Sequence, residues 1–143
     1  MKEVNIRKAV VGDTRKIAIL LKELGYPNTI KFAKAKITEL SKSKIDFVFV
    51  AEIEGKVVAF VHLHIAKMLH EPGKLGRVMA IDVSKDYKRV GIGKKIMAFL
   101  EEKARGAGCT KMELTSSTHR RGAHKFYKNL GYIEKPKRFL KKL

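Results

Sequence analysis

Apolar and polar positions alternate along this chain in two periods, and the places where the period changes outline its elements. Val4-Asn5-Ile6-Arg7 alternates with period two and predicts a short opening strand. Asp13 or Thr14 then stands where a helix would be capped, and Ile17, Leu20, Leu21 and Leu24 recur on one face at helical spacing. Gly25 and Pro27 end that helix, with Gly25 supplying a left-handed terminus. Thr29 to Leu40 repeats the pattern through Ile30, Ala33, Ile37 and Leu40. Phe47 to Ile53 and Lys56 to Ile65 read as two strands joined by a hairpin turn at Glu54-Gly55. Gly76 to Val83 predicts another strand, and Lys94 to Lys103 a helix that Gly106 and Gly108 bring to an end. Lys111 to Ser116 is a further strand, Arg120 to Leu130 a short helix closed by Gly131, and Tyr132 to Leu140 a last strand pair. The order βααβββαβαβ, with about four helices around a mixed sheet, defines an α/β or α+β domain. No linker, repeat or low-complexity segment breaks the 143 residues, so one domain over 1–143 is expected.

Composition narrows the class. A hydrophobic fraction of 45% supplies a packed core and excludes a disordered polycation. No apolar run approaches the roughly 20 residues that span a bilayer, so no membrane partner is expected. MKEVNIRKAV lacks the apolar region of a secretory signal, and the one cysteine, Cys109, cannot form an internal disulfide; both fit a cytoplasmic protein. Cys109 stands just before or within a strand in GAGCTKMEL and reads as a small buried hydrophobe rather than a nucleophile. The anomaly is the formal net charge of +18, which attracts polyanions at long range. The cations are scattered, with the densest patch in KPKRFLKKL, so most of the excess reads as solvated surface.

The strongest chemical signal lies in Ile81 to Leu100. A strand delivers Lys88, Arg89, Gly91 and Gly93 to a helix N-terminus, where the first N–H groups lack intrahelical partners and the dipole is positive. Glycine lets an anion approach the main chain, so this is a place to hold a diphosphate. The segment is not GxxxxGK[ST], and Ile96 occupies the third glycine position of a GxGxxG, which disfavours a nucleoside triphosphate loop and a dinucleotide fold. A second segment, TSSTHRRGAHKFYKNLGY, follows at Thr115 to Tyr132.

Together these segments resemble the GCN5-related N-acetyltransferase (GNAT) superfamily. Lys88-Arg89-Val90-Gly91-Ile92-Gly93 matches the acetyl-CoA loop (Q/R)xxGx(G/A), with lysine in the first position. Arg120 through Tyr132 matches NxxAxxFYxxxGF, with Arg120 at the asparagine and Tyr132 as the closing aromatic. The resemblance implies acetyl-CoA as co-substrate. It implies that main chain near Ile81 and Val83 holds the pantetheine arm, and that the Lys88, Arg89, Val90, Gly91, Ile92 and Gly93 loop holds the diphosphate. Lys94, just inside the helix, either adds to those contacts or faces solvent. Arg120 is counted with the cofactor residues, and no metal is expected.

The implied reaction is direct attack of an amine on the thioester through a tetrahedral intermediate. The resemblance aligns Tyr127 with the tyrosine that protonates the departing thiolate; the competing reading is a core tyrosine. The general base stays open. Ala80 occupies a position the family often fills with glutamate, and Asp82 lies two residues on, on the same strand face. His62 and His64 share a face of their strand, with His70 beside Glu71 in the next loop. They read as half-buried sheet histidines in preference to a metal site, with a water-mediated base role for His64 between those readings. His119 stands before the last helix and could contact substrate.

The sequence thus points to an acetyl-CoA-dependent N-acetyltransferase acting on the primary amine of a small molecule of aminoglycoside or aminoalkylphosphonate type. Acetylation of a protein lysine or N-terminus is the second option. A non-catalytic module binding nucleic acid or another polyanion on the same fold is the third, and a homodimer is left open.

Overall fold

Period-two and period-3.6 segments become one five-stranded sheet with helices on both faces. The computed structural model describes residues 2–116, 121–135 and 137–143. Its elements are β1 (Asn5–Lys8), α1 (Thr14–Leu24), α2 (Ile30–Ser41), β2 (Asp46–Ile53), β3 (Lys56–Lys67), β4 (Lys74–Val83), α3 (Ile92–Gly106), β5 (Cys109–Leu114) and α4 (Arg121–Asn129). Strand order follows chain order, antiparallel throughout except for the parallel pair β4–β5, which α3 connects.

Local chemistry sets the ends. Gly25 closes α1 at φ 106°, and Thr29 caps α2 by accepting the Phe32 N–H at 3.0 Å. Glu54 and Gly55 both take positive φ, 51° and 76°, as a two-residue hairpin of primed type requires. Asp13 precedes α1 but does not cap it. Its carboxylate accepts the Val10 N–H at 2.8 Å and two bonds from the Arg7 guanidinium at 2.8 and 2.9 Å, tying β1 to the helix entrance.

Alternation divides the core in two. Phe49, Val61, Leu63 and Val78 face α3, burying Ile92, Ile96, Met97 and Leu100. Val50 and Phe60 face the other way, against Ile17, Leu20 and Ile37 of α1 and α2. Two irregularities interrupt the ladder: Val58 is surplus between Ala51 and Glu52 of the partner strand, and Met79 is surplus opposite His62 and Leu63.

Among the described residues, the strand pair expected over Tyr132 to Leu140 does not form. Residues 132–135 and 137–143 adopt neither helix nor strand, and Ile133, Phe139, Leu140 and Leu143 are exposed. A segment carrying Pro136 and five cations between Lys135 and Lys142 offers few buried contacts to offset the ordering of its backbone. Helix α3 also begins two residues before the expected Lys94. Among the described residues, no helix is long and apolar enough to cross a membrane.

Candidate active site

β4 has a different partner history on its two edges. Toward β3 it pairs as far as Val83, whereas toward β5 the ladder ends at Val78 opposite Leu114. Met79, the surplus residue, comes immediately after that last pair, and a bulge bends its strand and disrupts the ladder locally. From Met79 to Val83 the edge away from β3 therefore has no strand beside it among the described residues. An unpaired strand edge presents N–H and C=O groups at regular spacing to any extended polar chain. The side chains of Ile81 and Val83 are spoken for, packed against the α3-side core, so these residues offer a ligand main chain only.

That edge runs directly into the glycine loop. Ser84 N–H is anchored on the Val58 carbonyl at 2.7 Å, a 3₁₀ turn follows at Lys85–Tyr87, and Arg89 and Gly91 take positive φ, 67° and 86°. Gly91 is the N-cap of α3 and no side chain caps the helix there. The N–H of Lys95 bonds the Gly91 carbonyl; those of Ile92, Gly93 and Lys94 precede the first helical acceptor and point out of the helix end. Lys88, Arg89, Val90 and Lys94 are exposed around this N-terminus, while the Ile92 side chain is buried in the core.

The two glycines differ in kind. A Cβ on Gly91 would meet nothing within 4 Å, so its requirement is positive φ. A Cβ on Gly93 would lie 3.2 Å from the Phe126 ring, so this glycine makes room for α4. Phe126 stacks edge-on against Tyr127 at 5.1 Å, and Tyr127 against Tyr132 at 5.9 Å. Tyr127 is half-buried and packs on the α3-side core. Tyr132 donates to Glu101 at 2.8 Å; burial pushes its phenol above the usual range, and the neighbouring carboxylate adds to the shift. α4 thus meets the loop through Phe126, with Tyr127 stacked beside it. Arg120 and His119 lie outside the described residues.

The carboxylate and imidazole candidates occupy the opposite face. Asp82 is buried, 6% exposed, in register with Phe60 of the α1-side core, so it does not face Tyr127 across one surface. His62 is in register with Ala80, and His64 with Arg77. Both histidines meet Asp46 at the start of β2: His62 Nε2 lies 2.9 Å and His64 Nδ1 2.8 Å from the same Oδ1. Ser43 donates to the other oxygen at 2.9 Å. Burial alone would raise the Asp46 carboxyl, and the bonds from His62, His64 and Ser43 outweigh it, holding the group below the usual carboxylate range. The nitrogens face a carboxylate rather than a common ion; among the described residues no group of three or more His, Cys, Asp and Glu is placed to hold a metal. His70 is apart from them, exposed, 3.9 Å from Glu71. Asp46 is the residue that sequence reasoning passed over. Cys109 is half-buried beside Gly76, and burial pushes its thiol up.

Comparison with known proteins identifies the family. The acetyltransferase (GNAT) family profile matches residues 18–132, and the chain belongs to that family. It is 36% identical over 89 residues to the aminoalkylphosphonate N-acetyltransferase of Salmonella typhimurium, covering 62% of this chain and 58% of that one. Its fold superposes on glucosamine-6-phosphate N-acetyltransferase from Arabidopsis thaliana with TM-score 0.83 and 27% identity, over 99% of both chains. It superposes on an aminoglycoside N-acetyltransferase in complex with CoA with TM-score 0.88 and 17% identity, over 100% of this chain and 96% of that one. The chain spans about half the length of the curated relatives it matches.

Proposed function

We propose that this chain transfers an acetyl group from acetyl-CoA to the primary amine of a small molecule. The observation that carries the reading is the open edge of β4 from Met79 to Val83, which leads through the Lys85–Tyr87 turn and the glycine loop to the N-terminus of α3. The fit to acetyl-CoA is chemical. A pantetheine arm carries amides that can pair with a strand edge, and a diphosphate suits the N–H groups of Ile92, Gly93 and Lys94 with Lys88 and Arg89 beside them. Acetyl-CoA supplies the activated acyl group; the protein's part is to position it, exclude water and manage protons.

Tyr127 is the residue we assign as general acid. What supports the assignment is that it stacks beside Phe126, whose ring approaches Gly93 of the loop. A phenol with an ordinary pKa near 10 can deliver its proton to a thiolate of about 8.5 when the transfer is concerted with bond breaking. The relatives named for aminoalkylphosphonate and glucosamine-6-phosphate support a small amine that bears an anionic group, and the strongly basic chain suits such an acceptor.

Thiol release from acetyl-CoA across a panel of small amines, with and without a phosphate or phosphonate, tests the reading. Turnover with at least one member is expected, together with calorimetric binding of acetyl-CoA. Absence of both would overturn it. Tyr127→Phe keeps the ring packing and removes the proton, so kcat should fall by roughly 10²-fold with acetyl-CoA affinity little changed. Wild-type kcat in that variant, with chemistry rate-limiting, would remove Tyr127 from the role.

A further inference from the structure

The Asp46–His62–His64 cluster is built more carefully than a pair of sheet histidines requires. An ionised carboxylate offers lone pairs and no hydrogen, so both ring nitrogens that face Oδ1 must carry the proton of their hydrogen bond. One oxygen thereby fixes two opposite tautomers. His62, protonated on Nε2, has its free lone pair on Nδ1, close to its own backbone. A neutral His64 ring protonated on Nδ1 carries its lone pair on Nε2 at the far end of the ring, and its side chain is the more exposed of the two, 30% against 20%. A far-end lone pair with the near nitrogen tied to a carboxylate is the arrangement of an imidazole poised to accept a proton.

Its location is next to the point where β4 and β5 part. His64 is in register with Arg77 on β4, and Arg77 with Glu113 on β5, to which it is ion-paired. The next pair along, Val78 with Leu114, is the last before β4 and β5 part. Asp46, His64, Arg77 and Glu113 therefore form one polar row across four strands at the apex of the gap, on the face away from Tyr127. Ala80 leaves no carboxylate at its position, Asp82 further along the open edge is buried, and this row supplies an ordered proton acceptor that is more exposed, with His62, Arg77 and Asp46 as the charged or titratable groups around it.

We infer that His64 accepts the proton of the incoming ammonium group through Nε2, and that Asp46 is the positioning residue that fixes its tautomer, with His62 holding Asp46 in place. The inference rests on the acetyl-transfer reading above. His64 takes one proton, directly or through one water, and the nitrogen electron pair so freed forms the bond to the carbonyl carbon. The carbon–sulfur pair departs on sulfur, which takes a proton from Tyr127, and the second amine proton restores the phenol.

His64→Gln should lower kcat by roughly 10²-fold near neutral pH while leaving acetyl-CoA affinity unchanged. The deficit should narrow as pH rises toward the pKa of the amine itself, because the substrate then arrives uncharged. His70→Gln, in the exposed loop, should behave as wild type. Independently of turnover, nitrogen-resolved NMR of the imidazoles should find His64 protonated on Nδ1 and His62 on Nε2, and Asp46→Asn should abolish that opposition and cost about tenfold or more in kcat. Wild-type kcat with an unchanged pH profile in a folded His64→Gln protein would overturn the inference and leave the proposed function standing. So would a wild-type His64 ring protonated on Nε2. A wild-type protein that turns over no amine in the panel would overturn the function and, with it, the role of His64.

Discussion

Arg7 shows how one side chain on this protein does the work expected of several. Its guanidinium joins Asp13 through two hydrogen bonds and Glu52 through a third, so β1, β2 and the entrance to α1 are fixed by one cation. The bonds from Arg7 hold the Asp13 carboxyl below its ordinary value, against a smaller upward push from burial, and the Val10 N–H adds to the lowering. A depressed folded pKa contributes stability that is present above the unfolded value, about 4, and is lost as pH falls through the folded one. Asp13→Asn should therefore cost about 2 kcal/mol near neutral pH, the scale of charge-assisted bonds around a buried carboxylate. Urea melts of both proteins should converge as the solution is acidified below pH 4. A difference that stays constant into acid would show that Asp13 contributes by shape and not by charge.

At the scale of elements, most of the architecture was legible and its irregularities were not. The left-handed stop at Gly25 and the Glu54-Gly55 turn follow from the conformational needs of those residues, and each is where the pattern put it; Thr29, which the pattern counted into the helix, caps it instead. Asp46 was out of reach for a specific reason. Counting back from the turn, Ile53 opposite Lys56 would set Asp46 against Leu63, on the α3 face. The surplus Val58 moves it by one, against His64 and among the histidines. Periodicity cannot announce a bulge, and a one-residue shift exchanges the faces of a strand. The gap beyond Val78 was hidden likewise, since it belongs to register and not to composition. The loop glycines were legible as a pair, but only packing separates their roles. Gly93→Ala gains up to about 1 kcal/mol of helix propensity and incurs about 1–3 kcal/mol of crowding against Phe126, so the protein should be less stable overall. In a double-mutant cycle, Phe126→Leu should recover about 1 kcal/mol of that loss. Additive effects would mean that α3 and α4 do not share this contact.

For the molecule as a whole, the charge of +18 is the property that local geometry leaves unused. A field of that sign speeds the arrival of a polyanion such as CoA, whereas contacts to helix amides retain it. The association rate of acetyl-CoA should fall severalfold from low to physiological salt, with a smaller change in the dissociation rate, as stopped-flow measurement would read. A duplex nucleic acid bound at many phosphates would instead lose affinity as a steep power of salt. Tight duplex binding of that kind, without acetyl-CoA binding, would favour the polyanion-binding alternative over an enzyme.

The surplus residue in β4 has a consequence for how such a site can be gained or lost. His62 stays opposite Ala80 and Leu63 opposite Val78 whether or not Met79 stands between them. Its 51% exposed side chain contributes little to the core. Removing it would therefore leave both neighbouring pairs, both faces and both packed layers as they are, and would take away only the bend at which β5 parts from β4. On the acetyl-transfer reading proposed above, the distance between a plain structural sheet and one with a berth for a long, flexible thioester is a single codon.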